Sequence, residues 1–261
     1  MLLRLIVLLA ALAALASGCG GDDEASSGAS VAEAAAEQLR YLDPQSSSVI
    51  AVDLRWNGDN WGDVKPLVDR MLKAVREGRP PAERAATPET AEDALEQLVG
   101  FAKLSFAEDV EPALDGHLLI GAVVPPGAFR DPDEDGTFEA GEEIPEPEIT
   151  LVYRTEKGDL RRLAEKIGQL DSPEALKPLR GYEDTVTLDG EIAIVGRKTA
   201  VWVLSGEDGD GPLRAALDRA KDGGGLPAER LAQAERDSGM TDPLVLATGD
   251  LTVARQLVAE D

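Results

Sequence analysis

The fold is decided between residues 182 and 204, which read YEDTVTLDGEIAIVGRKTAVWVL. β-Branched and other apolar residues dominate three short runs, and Asp189-Gly190 separates the first two with the residue pair that favours a type I′ hairpin turn. Arg197-Lys198 marks a second turn. The stretch therefore predicts an antiparallel meander with strands at 182–188, 191–196 and 200–204.

Further strands and helices are predicted on both sides of this meander. Runs of apolar residues predict strands at 48–54, 117–124, 149–154 and 243–248, and the first of these is apolar enough to be buried on both faces. Helical periodicity predicts helices at 31–42, 63–76, 159–170, 210–221 and 227–237, another beginning at Thr87-Pro88, and a last one capped by Asp250. The pattern predicts an α+β fold: one domain over 32–261, a mostly antiparallel sheet with helices packed on it.

Two predicted helices carry specific apolar positions. The helix at 63–76 has an apolar stripe that we expect to face the core, formed by Val64, Leu67, Val68, Met71, Leu72 and Val75. The last helix carries Leu251, Ala254, Leu257 and Val258. No stop signal follows it, so we expect a shortened member of a longer family.

Composition limits the functions this chain can have. Its 261 residues are 43% apolar, enough for a sizeable core, and its formal charge of -24 repels the phosphate backbone, so nucleic acid is not expected as a partner. A single cysteine excludes an internal disulfide, and a single histidine, His117, excludes a paired-His metal site. We expect His117 to be a surface or half-buried residue rather than a ligand.

The amino terminus is typical of an exported protein. Arg4 and the short apolar run after it indicate a signal peptide over residues 1–18. Residues 15–19, LASGC, resemble the lipobox of bacterial lipoproteins, with Ala16 where leucine is commonest. The resemblance implies cleavage before Cys19, lipidation of its thiol, and a membrane anchor on the extracytoplasmic side. The other interpretation is an ordinary signal peptide with an incidental cysteine.

Residues 19–31 are rich in Gly, Ser and acidic residues and predict a flexible lipidated tether. The connection between the strands at 117–124 and 149–154 is long, and these two strands are expected to pair.

This connection contains an EF-hand-like calcium loop at residues 131–142, DPDEDGTFEAGE. Acids at positions one, three, five, nine and twelve, a backbone carbonyl at seven and Gly136 at six match the spacing that Ca2+ requires. The candidate ligands are Asp131, Asp133, Asp135, Thr137, Glu139 and Glu142. Prolines flank the loop where an EF-hand has helices, so we expect a structural Ca2+ site rather than a sensor. The other interpretation is a solvated acidic linker.

Two tryptophans frame a turn at residues 55–61, RWNGDNW. Asn57-Gly58 is a turn signal, which favours a strand-to-helix turn whose indoles cover the edge of the core. The alternative is a lip that stacks on a sugar or binds a partner.

Residues 41–54, 109–116 and 192–226 are three stretches that resemble a family of bacterial exported proteins catalogued as domain of unknown function thirty-three fifty-two. Residues 41–54 are similar to its opening strand, although Leu42-Asp43-Pro44 departs from its turn. Residues 109–116, DVEPALDG, are similar to its Asp-Val-x-Pro motif, with Ala113 in place of an aromatic residue and Asp115-Gly116 in reversed order. Residues 192–226 resemble its strand-strand-helix segment. The resemblance implies export and an α+β fold, not a reaction.

These features favour a membrane-anchored extracytoplasmic lipoprotein with a non-catalytic role, binding a partner or serving the envelope. One alternative is a solute-binding lipoprotein of a transporter, which would have two lobes with parallel sheets around a cleft. Another is a carboxylate-based hydrolase. With 50 acidic residues, spacing alone singles out no catalytic pair.

Overall fold

The computed structural model describes residues 31–100, 103–125, 146–171, 176–206, 209–239 and 243–249. The strands are β1 Ser48–Asp53, β2 Gly116–Val123, β3 Glu148–Thr155, β4 Leu176–Pro178, β5 Thr185–Leu188, β6 Ile192–Val195, β7 Thr199–Leu204 and β8 Val245–Gly249. The helices are α1 Val31–Leu39, α2 Asp59–Glu77, α3 Pro81–Arg84, α4 Ala91–Gly100, α5 Leu160–Asp171, α6 Gly211–Asp222 and α7 Ala228–Ser238. A π-helical turn, Phe106–Val110, and a 3-10 turn, Glu111–Ala113, precede β2.

The strands form one sheet in the order β4-β5-β6-β7-β3-β2-β1-β8, and every neighbouring pair is antiparallel. This confirms the predicted α+β fold and the meander, now β5-β6-β7. Asp189 and Gly190 have φ of +54° and +80°, the left-handed backbone that a type I′ turn needs. The strands at 117–124 and 149–154 pair as predicted. The short edge strand β4 has no counterpart in the sequence prediction.

The sheet is covered on both faces because its side chains alternate between two cores. Leu118 and Leu151 pack into one core with Val64 of α2, together with residues of α4 and α5. Leu119 and Val152, their neighbours in sequence, pack into the other core with residues of α1, α6 and α7. The sheet is therefore the middle layer between two layers of helices.

Helix α2 corrects one prediction. Val64 is buried, but Met71 and Val75 are 62% and 52% exposed, so the expectation that the whole apolar stripe faces the core is wrong. The helix has 19 residues and is about 28 Å long, and its last turns extend beyond the core that its first turns cover. Amphipathic spacing indicates a helix, but it does not set how much of the helix has a partner.

Helix α4 begins three residues later than Pro88. Thr90 Oγ1 accepts from the Asp93 N–H at 3.0 Å, and Asp93 Oδ2 accepts from the Thr90 N–H at 3.2 Å. This reciprocal pair is a capping box, which satisfies two helix-end donors at once. The predicted start of this helix at Thr87-Pro88 is therefore wrong.

One part of the sheet is incompletely covered. The open patch consists of Ile50, Ile120, Ile149, Trp202 and Leu204, and it lies toward the Ser48 end of β1. Ile50 and Leu204 are 37% and 40% exposed, and the other three are half-buried. The prediction that β1 is buried on both faces is therefore wrong at Ile50.

Three predicted segments lie outside the described residues: the signal peptide and nearly all of the tether, the calcium-type loop at 131–142, and the last helix at 250–258. Within the part of the chain that the structure describes, no helix is both long and apolar enough to cross a bilayer.

Candidate functional site

A cluster of buried and half-buried polar side chains lies where β1 ends and α2 begins. This Asp53 corner consists of Asp53, Arg55, Asn60 and His117. The Asp53 carboxylate is fully buried and accepts three hydrogen bonds from Arg55, from N at 2.9 Å, Nε at 2.9 Å and Nη2 at 2.8 Å. Asn60 Nδ2 donates a fourth at 2.7 Å. A buried charge is tolerated only when it is paired in this way.

Local sequence explains this arrangement. Arg55 follows Asp53 by two residues, so its backbone N–H and guanidinium both reach back to the carboxylate. The backbone of Asp53 is fixed as well, because its carbonyl accepts from Trp61 Nε1 at 3.1 Å and its N–H donates to the Leu244 carbonyl at 2.8 Å. The strand end, the first turn of α2 and the chain before β8 are thereby joined at one residue.

The charge balance at Asp53 favours the ionised carboxylate. Burial by itself would raise its pKa, but the hydrogen bonds and positive charge of Arg55 outweigh burial and hold the pKa of Asp53 below its usual range. His117 is the cross-strand partner of Asp53, and its Nε2 lies 3.9 Å from Oδ1. His117 is 3% exposed, so the expectation of a surface or half-buried residue is wrong. The pairing of β1 with β2 puts it inside.

Tyr153 lies on β3 within the core that α2, α4 and α5 cover. Its hydroxyl donates to the Ala113 carbonyl at 2.5 Å, and burial raises the pKa of Tyr153 well above its usual value. Tyr153 is therefore a neutral hydrogen-bond donor at neutral pH. It fixes the 3-10 turn to the sheet.

The two tryptophans cover the edge of the core, as the favoured interpretation predicts. Trp56 and Trp61 are 3% and 2% exposed, with ring centroids 5.0 Å apart. Phe106 meets Trp56 edge-on at 5.4 Å, and Lys65 Nζ lies 4.3 Å from the centroid of Trp56. Indoles packed on one another in this way offer no open face for a sugar, so the alternative of a stacking lip is not supported.

The Asp53 corner suits a structural role better than a chemical one. The carboxylate already accepts four hydrogen bonds, and a general base needs a lone pair directed at a substrate. Of the two cavities described next, neither is lined by Asp53 or His117. The corner therefore locks the junction of β1 and α2.

The first cavity is open and holds about 500 Å³. Tyr41 and Tyr182 line it together with Arg40, Glu183 and Lys221. The Tyr182 hydroxyl donates to Asp218 Oδ1 at 2.9 Å, and burial followed by this carboxylate raises the pKa of Tyr182. The cavity thus presents two aromatic rings and charges of both signs.

A second cavity, of about 530 Å³, lies beside the projecting part of α2. Arg70, Lys73 and Arg76 line it with Asp69 and Glu89. Arg76 forms an ion pair with Glu89, and Asp69 Oδ1 accepts from the backbone N–H of Ala91 at 2.7 Å. Its lining thus carries charges of both signs.

The sequence-predicted site residues all lie outside the described residues: Cys19, Asp131, Asp133, Asp135, Thr137, Glu139 and Glu142. The structure does describe the two strands, β2 and β3, between which the calcium-type loop lies. Val123 of β2 pairs with Glu148 of β3, so the two ends of the connection start side by side on adjacent strands. Among the residues that are described, no group of three or more His, Cys, Asp or Glu is placed to hold a metal ion.

Comparison with known proteins adds no relative. No family model matches the chain, no curated protein matches it, and no solved structure matches it. The resemblance to the exported-protein family therefore stays a prediction.

Proposed function

We propose that this chain is a membrane-anchored extracytoplasmic lipoprotein with a non-catalytic binding or envelope role. The observation that carries the proposal is the position of the only cysteine, Cys19, directly after the apolar run and small residues of residues 5–18. Lipidation needs a cysteine at that place. Diacylation of its thiol supplies the two acyl chains that stable anchoring requires.

The way the described fold begins supports a tethered domain. Val31, twelve residues after Cys19, donates its N–H to Glu235 Oε1 of α7 at 3.1 Å. Gln38, the next-to-last residue of α1, is buried and donates to the carbonyls of His117 and Val152 at 2.7 and 2.9 Å. Helix α1 is thereby fixed to a second helix and to two strands, which gives the tether a firm point of attachment.

Lipidation is tested by growing cells with a labelled fatty acid. The chain should take up label, and Cys19→Ser should not. The matched control carries Cys19→Ser together with Ser26→Cys, which keeps one cysteine but moves it away from the cleavage position, and it should also stay unlabelled. Label on either variant, or none on the natural chain, contradicts the anchor.

A structural Ca2+ in the loop at 131–142 is the second part of the proposal. Its support is the spacing of the acids, together with the pairing of Val123 with Glu148. This pairing holds the two ends of the connection side by side, so less entropy is lost when the loop between them closes around an ion. Extracellular modules of this kind have a Kd of about 10⁻⁴ to 10⁻³ M. At about 1 mM Ca2+ and the tighter value, linkage adds about 1.4 kcal/mol to the free energy of unfolding.

The melting temperature with Ca2+ and with chelator tests this site. For a domain of this size, about 1.4 kcal/mol raises Tm by roughly 3 to 6 °C. Asp131→Asn with Asp133→Asn should abolish the rise, whereas Glu134→Gln, at a position that supplies no ligand, should leave most of it. Equal melting in calcium and chelator would show an acidic linker.

The proposal that the role is not catalytic is supported by the Asp53 corner. Asp53 is the most completely buried carboxylate described, and its oxygens are engaged by Arg55 and Asn60. A hydrolase would need one of its two carboxylates free to act on water or substrate.

The solute-binding alternative keeps one observation in its favour. The cavity of about 500 Å³ beside Tyr41 and Tyr182 falls in the size range of small-molecule sites. Against it, the described strands form one antiparallel sheet rather than two lobes with parallel sheets. Native mass spectrometry of the protein purified without denaturation discriminates the two: a bound small molecule that is lost in Tyr182→Ala would favour this alternative.

A further inference from the structure

The last turns of α2 form a projecting tip together with α3. This basic tip consists of residues 70–86, in which only Leu72 and Arg76 are half-buried and every other residue is exposed. Its two parts are joined by hydrogen bonds: Arg76 Nε donates to the Arg84 carbonyl at 2.9 Å, and Arg84 Nη2 donates to the Glu77 carbonyl at 3.1 Å. The tip is therefore a folded surface rather than a frayed helix end.

The charge of the tip is opposite to that of the whole chain. Residues 70–86 contain five basic and two acidic residues, in a chain whose formal charge is -24. The basic residues are Arg70, Lys73, Arg76, Arg79 and Arg84. Arg76 pairs with Glu89, and Arg79 pairs with Glu83. Among the described residues, Arg70, Lys73 and Arg84 form no ion pair, so these three cations can meet an external anion.

The dipole of α2 does not account for this cluster. A helix dipole favours a cation in the last turn of its helix, which explains Arg76. Arg70 and Lys73 lie before that turn, and Arg79 and Arg84 lie after the end of α2. The cluster therefore needs another explanation.

Two apolar side chains lie on the same tip. Met71 and Val75 are 62% and 52% exposed, the largest fractions among the large apolar side chains that the structure describes. They are four residues apart, so they are neighbours on one face of the helix. Apolar and basic side chains side by side suit the surface of a bilayer, where apolar groups enter the acyl boundary and cations meet lipid phosphates.

The three cations without an ion pair also line one cavity. Arg70, Lys73 and Arg84 all belong to the lining of the cavity of about 530 Å³ beside α2. The whole lining carries four cations and three acids, a small positive excess. Guanidinium and ammonium groups form strong hydrogen bonds with phosphate, so the cavity offers a place for the phosphate of a lipid headgroup.

We propose that the basic tip docks on an anionic phospholipid surface, with Met71 and Val75 at the acyl boundary and Arg70, Lys73 and Arg84 near lipid phosphates. The rest of the chain is strongly acidic and is repelled by such a surface, so the tip determines which side of the domain faces the bilayer. This inference goes beyond the lipid anchor and does not require it, because the tip belongs to the folded part of the chain.

A local fluorescent label tests the docking. In the full chain with Cys19→Ser, Met71→Cys carries the only thiol, which is labelled with a dye whose emission shifts to the blue in lipid. Vesicles of phosphatidylcholine with phosphatidylglycerol should produce the shift and protect the dye from a water-soluble quencher. Vesicles of phosphatidylcholine alone should need at least about tenfold more lipid for half of the shift.

A second label position is the control for this readout. The same dye at Ala228→Cys, an exposed position on α7 in the other helix layer, should show no shift. Each dye reports only its own surroundings, so binding of the apolar run at residues 5–16 to a vesicle does not mimic docking of the tip.

Matched charge reversals test the cations. Arg70→Glu with Lys73→Glu should raise the lipid concentration at half of the shift at least about tenfold. Lys177→Glu with Arg180→Glu changes the net charge equally, at exposed positions on and beside the edge strand β4. This control should change the lipid concentration by less than about twofold, because exposed charges far from the contact are screened by salt.

Several results would overturn the proposal. One is the absence of a shift at Met71→Cys with anionic vesicles, and others are an equal shift at both labels or an equal effect of the two charge reversals. A shift without vesicles that grows with protein concentration means that a second copy of the chain is the occupant. An equal shift with soluble polyglutamate in place of vesicles means that the occupant is an acidic polypeptide. Near-ultraviolet circular dichroism on each variant checks that the fold persists.

Discussion

The two ends of strand β1 reverse the usual distribution of polar and apolar side chains. At one end Asp53, a charged residue, is 1% exposed, whereas Ile50, three residues earlier and apolar, is 37% exposed. Both residues belong to one strand that is paired on both sides, with β2 and with the edge strand β8, so an unpaired strand edge does not explain the difference.

The Asp53 corner shows how a charge becomes acceptable inside a protein. Arg55 and Asn60 donate to the carboxylate and satisfy it, and Trp61 holds the backbone of the same residue. Such a network adds little stability compared with apolar packing, but it requires one arrangement of its members. It therefore fixes where β1 ends and where α2 begins.

The open patch shows the opposite case. Apolar side chains at a sheet centre become stable when something covers them, and an exposed group of them marks a surface that packs against another segment or molecule. The corner is complete within the described residues, and the patch is not. The comparison teaches that burial depends on the partners a side chain finds rather than on its own polarity.

The largest expected effect comes from breaking the corner. Asp53→Ala removes the carboxylate to which Arg55 and Asn60 donate, so it should lower the free energy of unfolding by about 3 to 5 kcal/mol. Urea denaturation followed by tryptophan fluorescence measures this.

The matched control for that prediction is Asp210→Ala, which removes the exposed partner of Arg214. Exposed ion pairs contribute little, so this change should cost less than about 1 kcal/mol. A similar loss for the two variants would mean that the buried network contributes no more than a surface pair.

A second prediction compares two leucines on the same face of the sheet. Leu118 is 1% exposed in the core, and Leu118→Ala should cost about 2 to 5 kcal/mol, from lost burial and the cavity that remains. Leu204→Ala should cost less than about 1 kcal/mol, since its side chain is already 40% exposed.

Urea denaturation of the natural chain and of the two variants measures both costs. A cost for Leu204→Ala as large as that for Leu118→Ala would mean that Leu204 is packed like a core residue, and the contrast between the core and the open patch would not hold.

Local signals explain why much of the fold could be predicted. Asp189-Gly190 specifies its turn from two residues, and each predicted strand is present within three residues of its expected bounds. Helix caps, the spacing of apolar residues and glycine-containing turns depend only on residues close together in the chain, so they can be predicted from a single sequence.

The features that sequence missed depend on distant partners. Asp53 and His117 are 64 positions apart and meet only because β1 pairs with β2 in one particular register. The sequence offered one signal of this network, an arginine, Arg55, two residues after the acid that ends an apolar run, Asp53. Because an acid at a strand end is usually exposed, this signal did not predict a buried ion pair. Met71 and Val75 show the same limit, because helical spacing does not reveal where the core stops.

The smallest expected effect is protonation of Asp53, because an added proton weakens its hydrogen bonds without removing the side chain. The pKa of Asp53 is lowered in the folded protein, so the stability it contributes is fully present above the ordinary aspartate pKa of about 3.9. That stability is lost as the pH falls through the lower folded-state pKa. The difference in free energy of unfolding between the natural chain and Asp53→Asn should therefore shrink below about pH 4, relative to its value at about pH 8. Subtracting the variant removes the contribution of the other carboxylates, and Asp210→Asn provides a surface reference. If the difference stays constant down to the acid transition, the corner is not held by an ionised Asp53, and the contrast with the open patch would rest on packing alone.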